Sequence, residues 1–299
     1  MLEFRVEQKT FQIGKISVGG YPGKRPVVLV GSIFYHGHKI VGNEMTGEFN
    51  KKAAEDLINL QDDLSEKTGN PCMIDVVAAS QEAMIKELDF VASITEAPIL
   101  MDSPSASIRL AGLKYAEDSG LINRIVYNSI LPEAKTFELE RIKRSRLESA
   151  ILLAYNATDF TSKGRIKAVN DLITLARNLG IKKPLIDTCV LDVPTLGSAC
   201  KAILHVKNEW GYPAGAGTHN AIATWKGLKK KIGPQAFMPC SVSAAIMAVS
   251  IGADFILYGP IEDAKVFFPS VALVDTAYGQ LMLEKGEKPP LNHPLFRIA

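Results

Sequence analysis

The chain has 299 residues, of which 47% are hydrophobic and 22% are charged, and its formal net charge is +2. These values are ordinary for a soluble globular protein and give no electrostatic reason to expect a nucleic acid as partner. No Ser-, Gly- or Pro-rich linker divides the sequence. We therefore expect a single domain over residues 1–299.

The first residues, MLEFRVEQKT, contain no basic segment followed by an apolar one. No run reaches the roughly 18 consecutive apolar residues that a membrane span requires. We therefore expect a cytoplasmic protein without a membrane span. The four cysteines are scattered with no C-x-x-C pair, which argues against a disulfide framework or a closed zinc site.

In chain order, Phe4–Val18 followed by Gly19-Gly20 predicts a small hairpin, which we expect to cover the bottom of the fold. Short apolar, β-branched runs then recur, each followed by a stretch with helical periodicity, a pattern typical of βαβ units around a parallel sheet. The eight predicted strands are Val27–Gly31, Cys72–Val77, Pro98–Met101, Arg124–Tyr127, Ala150–Ala154, Pro184–Ile186, Tyr212–Ala216 and Asp254–Leu257.

The segments between these runs predict helices. Lys51–Glu66 has apolar residues at helical spacing, and Ala264–Leu283 predicts a final helix. Ser103 and Ser105 are expected to cap Ala106–Ser119, and Ser162 is expected to cap Gly164–Leu179 before Gly180 ends it. Eight strand–helix units predict an α/β fold, a closed (β/α)8 TIM barrel, with an open doubly wound sheet as the alternative.

Polar residues follow the predicted strands where a barrel carries its functional groups, at the C-terminal ends. Buried carboxylates and carboxamides are costly to desolvate without partners, so their repeated placement predicts a polar ligand. A reduced pterin fits, because its 2-amino-4-oxo edge offers N–H donors to carboxylates. The alternative interpretation, which involves no ligand, is that individual residues only cap the following helices. The candidates are Asp75, Asp102, Asn128, Asn156, Asp187, His219 and Asn220, with His36 and His38 after the first strand.

Asp102-Ser-Pro-Ser and Tyr127-Asn128-Ser129 resemble the pterin-binding methyltransferases that work with corrinoid proteins. The segments Gly31–Lys39 and Thr68–Cys72 are similar to one branch of them. This branch contains the H subunit of tetrahydromethanopterin S-methyltransferase and the soluble bacterial tetrahydrofolate methyltransferase of glycine betaine metabolism. The resemblance covers nearly the whole chain.

The resemblance implies roles for individual residues. The family's D-S-T, N-S-T and I-D-P motifs match Asp102, Asn128 and Asp187, and its G-x-S-N motif matches Gly217–Asn220. Relatives carry D-x-N on the second strand, whereas this chain keeps Asp75 and has valine in place of the Asn. Asp75 is therefore a weaker candidate, and His219 also departs from the pattern because it replaces a Ser.

By this resemblance we expect methyl transfer between methylcob(III)alamin on a corrinoid protein and N5 of tetrahydrofolate. The acids would anchor the pterin, His219 and Asn220 would extend the site, and Asn128 would act at N5. The corrinoid would come from a partner, because the chain lacks the Asp-x-His-x-x-Gly motif that ligates cobalamin. Homodimerisation is implied by the resemblance alone. The alternatives are the same chemistry with tetrahydromethanopterin, as the H subunit of a membrane complex, or a non-catalytic scaffold for a corrinoid protein.

Three competing interpretations use the same residues. His36-x-His38 could present two metal ligands on one side of a strand, but no third ligand follows from the spacing, so we expect no protein-bound metal. Gly215-Ala-Gly217 lacks the third glycine of a dinucleotide fingerprint and is explained as a strand end. Dihydropteroate synthase shares the barrel and the pterin pocket but calls for a Lys and a Ser-x-Arg pattern where this chain has Tyr258-Gly-Pro-Ile-Glu-Asp263.

Overall fold

A computed structural model describes residues 2–299 of the chain. Its secondary structure alternates between strands and helices over most of its length. The strands are β1 (Thr10–Ile13), β2 (Ile16–Gly19), β3 (Val28–Ile33), β4 (Val41–Asn43), β5 (Glu48–Phe49), β6 (Cys72–Val77), β7 (Ile99–Asp102), β8 (Ile125–Ile130), β9 (Ser149–Leu153), β10 (Lys183–Asp187), β11 (Ala214–Ala216) and β12 (Phe255–Pro260). The helices are α1 (Lys51–Thr68), α2 (Gln81–Ile94), α3 (Ala106–Asp118), α4 (Thr136–Lys143), α5 (Ser162–Leu179), α6 (Val193–Glu209), α7 (His219–Ala223), α8 (Leu228–Lys231), α9 (Phe237–Val249) and α10 (Ala264–Glu284).

Eight parallel strands close into a barrel in the order β3-β6-β7-β8-β9-β10-β11-β12. Closure is shown by β3, which pairs in parallel with β6 on one side and with β12 on the other. The predicted (β/α)8 barrel is therefore confirmed and the open sheet is excluded. Small antiparallel pairs, β1–β2 and β4–β5, lie outside the barrel.

All eight predicted runs overlap a barrel strand, and the errors lie at the strand ends. The fourth strand extends to Ile130, past the predicted end at Tyr127. The seventh is three residues long and begins at Ala214, not at Tyr212. Pro213 explains the late start, because proline has no backbone N–H to give to a strand ladder.

The predicted hairpin covers the bottom of the barrel. Ile13 and Val18 are fully buried and pack into the barrel interior with Val28, Leu100 and other inward-facing residues. A Cβ at Gly14, in the turn, would meet Pro98 and Arg124, which directly precede β7 and β8. The hairpin therefore closes the N-terminal end of the strands, and the C-terminal end is the open one.

The helix ends show which cap predictions hold. Gly180 ends α5 in a left-handed conformation, as predicted. The N-cap of α5 was predicted one residue late, at Ser162, because Thr161 accepts the backbone N–H of Gly164 and Ser162 is already helical. Ser105 occupies the cap position of α3 but makes no capping bond with its side chain.

The last helix is unusually apolar. By length and composition alone, Ile261–Glu284 could cross a membrane. In the fold, however, one face of α10 packs on the barrel through Phe267, Phe268 and Val271. Asp275 on the same face accepts the backbone N–H of Val27 at 2.9 Å. The apolar character of the inward side of α10 is thus explained by packing.

A buried ion pair joins three elements at the bottom of the barrel. The Lys207 ammonium on α6 lies 2.6 and 2.7 Å from the two carboxylate oxygens of Asp254, which directly precedes β12. The same ammonium donates to the carbonyl of Gly20 after the hairpin, and Asp254 also accepts the N–H of Ala214 on β11. The Lys207 side chain is 1% exposed. Removing one member of such a pair leaves an uncompensated buried charge.

We predict that Lys207→Met lowers the free energy of unfolding by about 3–5 kcal/mol, because Asp254 then remains buried without its cation. The double variant Lys207→Met/Asp254→Asn should recover most of this loss, since the amide oxygen can still accept the Ala214 N–H. Urea unfolding at neutral pH measures both values. Equal stability of Lys207→Met and the wild type would contradict this account of the ion pair.

Candidate active site

A cavity of about 460 Å³ opens at the C-terminal end of the barrel, within the size range of small-molecule sites. Its wall is formed at the C-terminal ends of all eight barrel strands, with β9 contributing Leu153. Six of the seven candidates at strand ends lie in this wall: Asp75, Asp102, Asn128, Asp187, His219 and Asn220. Asn156 does not line it, because its side chain accepts the backbone N–H groups of Thr158 and Asp159 within its own loop.

Asp75 and Asn128 form a hydrogen-bonded pair deep in the cavity. Asp75 is 2% exposed and accepts from the hydroxyl of Ser32 at 2.7 Å and from the Nδ2 of Asn128 at 3.2 Å. Because an ionised carboxylate only accepts hydrogen bonds, Asp75 orients the amide so that its NH2 points inward. The Asn128 side chain makes this one hydrogen bond among residues 2–299, so its carbonyl oxygen can accept a hydrogen bond from a ligand.

Burial sets the charge state of Asp75. Desolvation raises the pKa of its carboxyl to about 6, against the lowering effect of the hydrogen bonds from Ser32 and Asn128. The absence of the second-strand Asn had made Asp75 the weakest candidate among the acids. The structure instead places it at the centre of the cavity, where it holds Asn128.

Asp187 and Asp102 flank this pair on β10 and β7. Asp187 accepts the backbone N–H of Cys189 at 2.7 Å, and burial raises the pKa of its carboxyl to about 6. Burial raises the pKa of Asp102 well above its usual value, and the nearby charge of Asp75 raises it further. In the described chain the Asp102 carboxylate receives the N–H of Ser103 and no side-chain donor.

The charges of Arg109 and Arg165 lower the pKa of Asp102 and of Asp187, respectively, but neither arginine forms a salt bridge with these acids. Arg109 donates to Glu138 at 2.5 Å and to the carbonyl of Ser103. Arg165 donates to the carbonyl oxygens of Thr188 and Cys189. Within residues 2–299, Asp75, Asp102 and Asp187 therefore stand together without a salt-bridge partner. Such an arrangement fits a ligand that brings its own N–H donors.

His219 lies on the β11–β12 side of the cavity. Its Nδ1 is 3.1 Å from the carbonyl of Leu257, so Nδ1 carries the proton and Nε2 is an acceptor. Burial lowers the pKa of this histidine, which keeps the ring neutral. Gly259, at φ +96°, provides the space for the ring, because a Cβ there would lie 3.0 Å from the Cβ of His219.

The sequence did not predict Tyr35 as a site residue, yet it lines the cavity mouth. Its hydroxyl donates to Glu262 at 3.0 Å, in the turn after β12, and its ring stacks on His38 with centroids 4.4 Å apart. His38 accepts the N–H of Phe34 with Nδ1 and contacts Glu262 with Nε2 at 3.0 Å. Only the fold brings the tyrosine and the glutamate together, so no local sequence signal marks this cluster.

The two histidines do not form the metal-ligand pair considered from their spacing. They lie in a turn after β3, not on a strand, and face different carboxylates. The His36 side chain is 94% exposed and bonds Glu44 at 2.9 Å, whereas that of His38 is 1% exposed and faces Glu262. Among residues 2–299 no group of three His, Cys, Asp or Glu side chains is arranged so that it could hold a metal ion.

Comparison with known proteins assigns the chain to a family. The family model described as "Tetrahydromethanopterin S-methyltransferase MtrH subunit" matches residues 6–289. The chain belongs to this family. It is 38% identical to the H subunit of tetrahydromethanopterin S-methyltransferase from Methanothermobacter thermautotrophicus, with 100% of both chains covered. It is 37% identical to the corresponding H subunit from Methanopyrus kandleri, with 96% of each chain covered. The resemblance to the MtrH branch is thereby confirmed, and with it membership of a methyltransferase family.

Solved structures agree with this MtrH-family chain in fold. A Yersinia pestis dihydropteroate synthase carrying a pterin–sulfa conjugate superposes with a TM-score of 0.61 at 16% identity, over 91% of this chain and 100% of that one. A Xanthomonas albilineans dihydropteroate synthase with 4-aminobenzoic acid gives a TM-score of 0.62 at 14% identity, over 93% and 99%. At such identities the likeness shows the TIM barrel alone.

We predict that Asp187→Asn stabilises the ligand-free protein at neutral pH, by at most about 3 kcal/mol. The folded chain holds this carboxyl with a pKa of about 6, above its usual 3.8. The native state thus binds the proton more tightly than the unfolded state, and its stability rises as pH falls from about 7 to about 4. The advantage of the variant should shrink over the same window.

Thermal unfolding at several pH values measures this effect. Asp171→Asn, at an exposed position on α5, is the matched control and should change neither stability nor its pH dependence. A wild type whose stability is flat between pH 4 and 7, or a variant that keeps the wild-type pH dependence, would refute the claim that Asp187 is buried without compensation.

Proposed function

We propose that the chain transfers a methyl group between N5 of a reduced pterin and a corrinoid held by a partner protein. The observation that carries the proposal is a group of three acids at the mouth of the barrel, with Asp75 and Asp187 buried, Asp102 partly buried and no salt bridge to any of them among residues 2–299. A pterin supplies N–H donors along one ring edge, which is what such a group requires. Membership of the MtrH family supports the same reaction class.

We further propose tetrahydromethanopterin as the pterin. The sequence alone had favoured tetrahydrofolate, with tetrahydromethanopterin as the alternative. The relatives named above favour the alternative, because their names specify tetrahydromethanopterin and they cover the whole chain. The ring contacts do not distinguish the two, since both coenzymes present the same donors and acceptors to Asp102 and Asp187.

In this proposal Asp102 and Asp187 bind the donor edge of the ring. Both carboxyls have a raised pKa because burial disfavours their charged form. Hydrogen bonds from the ring would stabilise the carboxylates and lower both pKa values. The acids therefore serve recognition and orientation, and they place the rest of the ring against Asn128.

Asn128 is the group that we assign to N5. With its NH2 held by Asp75, its free carbonyl oxygen can accept a hydrogen bond from a protonated N5. In demethylation the bond between N5 and the methyl carbon breaks, its electron pair stays on N5, the carbon bonds to cobalt(I), and N5 takes up one proton. The Asn128–Asp75 pair stabilises the positive charge that develops at N5 in either direction.

The corrinoid would supply the nucleophile or the methyl donor. This chain would supply the open end of the barrel, which the corrinoid protein would approach. A cavity of about 460 Å³ suits a bicyclic ring and leaves the methyl acceptor outside, above N5. The residues of this chain then act by holding the ring, excluding water around it and aligning N5 with the opening.

The assembly is also part of the proposal. We propose a cytoplasmic subunit that works in a methyltransferase complex, as the names of the relatives suggest, with the corrinoid protein as its partner. A homodimer is supported by exposed apolar side chains on the outer helices, namely Met247 on α9 and Val266 and Leu273 on α10. A scaffold without catalytic activity remains the second candidate and would leave the buried acids unexplained.

We expect Asn128→Ala to slow single-turnover methyl transfer by a factor of about 10² or more while changing pterin affinity little. We expect Asp102→Ala to act mainly on binding, since its carboxylate contacts the ring away from N5. Stopped-flow transfer with free cobalamin and calorimetric pterin binding separate the two effects. Wild-type transfer rates in both variants would refute the site, and no transfer by the wild type would favour the scaffold.

We also expect the rate of methyl transfer from methylcobalamin to the pterin to fall as pH drops below about 6. The reason is that Asp75, with a pKa of about 6, must be ionised to stabilise charge at N5 through Asn128. Single-turnover rates from pH 5 to 8 measure this fall in rate at acidic pH. In Asp75→Asn the rate should be low and independent of pH over that range. If Asp75→Asn kept the fall in rate below pH 6, a group other than Asp75 would be responsible for it.

A further inference from the structure

A segment rich in lysine lies beside the cavity. Between Glu209 and Asp254 the sequence contains no acidic residue, and its only Lys or Arg residues are Lys226, Lys229, Lys230 and Lys231. They fall in Trp225–Ile232, which we call the lysine segment, in the long connection between β11 and α9. On a chain with a formal net charge of +2, this is a strong local concentration of positive charge.

None of these four ammonium groups lies within 4 Å of a carboxylate in the described part of the chain. Lysines elsewhere do find such partners, for example Lys86 with Glu82 at 2.7 Å and Lys182 with Glu148 at 2.6 Å. Lys229 instead contacts an aromatic ring, since its ammonium lies 4.6 Å from the centroid of the Phe237 ring. The segment therefore presents uncompensated positive charge.

The lysine segment is packed against neighbouring parts of the chain. Leu228 is 1% exposed and packs with Ala221, Ile222 and Val190 in a small core of its own, apart from the main barrel core. The backbone N–H of Lys231 donates to the carbonyl of Gly227 at 2.8 Å. Since Leu228 faces inward, the neighbouring lysines are held on the outer side at fixed positions.

The segment also adjoins the part of the wall over which a bound ring would extend. Asn220 and Ala223 on α7 line the cavity, and the lysine segment begins two residues after Ala223. Tyr35, after β3, and Pro260, at the end of β12, also line the cavity. The lysine segment is the next part of the chain on the α7 side, the direction in which a ligand longer than the bicyclic ring could extend.

We propose that the lysine segment binds the anionic tail of the pterin substrate. This inference rests on the proposed function and specifies the substrate end that the buried acids do not contact. Reduced pterin coenzymes carry, beyond the ring, a chain that ends in carboxylates or in phosphate and carboxylate groups. Lysine ammonium groups bind such anions as point charges, and the absence of nearby acids leaves their potential undiminished.

The test compares a whole coenzyme with a ring that has no tail. Calorimetry measures the Kd of tetrahydromethanopterin, of tetrahydrofolate triglutamate and of 6-methyltetrahydropterin for the wild type and for Lys229→Gln/Lys230→Gln/Lys231→Gln. The triple variant should bind the tailed coenzyme about tenfold more weakly and 6-methyltetrahydropterin as the wild type does. The difference should shrink at high salt, because exposed charges are screened.

The matched control is Lys114→Gln/Lys167→Gln/Lys201→Gln, which removes the same charge from exposed positions on α3, α5 and α6 and should leave all affinities unchanged. Equal Kd values for the tailed coenzymes in the wild type and the triple variant would overturn the inference and leave the proposed function standing. Equal losses for tailed and tailless pterins, or a loss confined to binding of the corrinoid protein, would also overturn it. Failure of the wild type to bind any pterin would overturn the proposed function itself.

Discussion

The site depends on one electrostatic constraint: three carboxyl groups, two of them buried and one partly buried, lie together at the open end of the barrel, and no cation among residues 2–299 forms a salt bridge with them. Barrel closure forces this arrangement, because Asp102 and Asp187 end β7 and β10, Asp75 lies two residues before the end of β6, and these strands open onto one mouth. Burial disfavours their charge and raises their pKa values. The desolvation of these carboxyl groups destabilises the open end of the barrel. At the opposite end, the hairpin and the ion pair between Lys207 and Asp254 stabilise the fold.

The polar residues of the site differ in whether they are hydrogen-bonded within the protein or free to contact a ligand. Asp75 is occupied inside the protein, since it holds Ser32 and Asn128, and it acts on a ligand through the Asn128 amide. Asp102 and Asp187 keep oxygens free for direct contact. The lysine segment lies outside this group of acids, and in our proposal the two charge types contact different ends of one substrate: the acids contact donors at the ring edge, and the lysines contact anions on the tail.

The sequence predicted the barrel because eight apolar runs alternate with helical segments. Polar residues in or just after several of these runs include all six residues predicted to bind the pterin. The sequence misjudged features that depend on distant partners. The importance of Asp75 comes from its contact with Asn128, 53 residues away, and Tyr35 is positioned by Glu262, 227 residues away. The His36-x-His38 spacing suggested a shared ligand, but a turn after β3 sends the two rings to different carboxylates.

The most direct test of the account is the number of protons released when the pterin binds. With carboxyl pKa values of about 6 in the free site, the acids are partly protonated near pH 6, and hydrogen bonds from the ring should ionise them. Calorimetry at pH 6 in buffers of different ionisation enthalpy counts these protons. We expect net proton release that is reduced in Asp187→Asn. Pterin binding without proton release, or with the same release in that variant, would contradict the claim that the unpaired acids receive the ring.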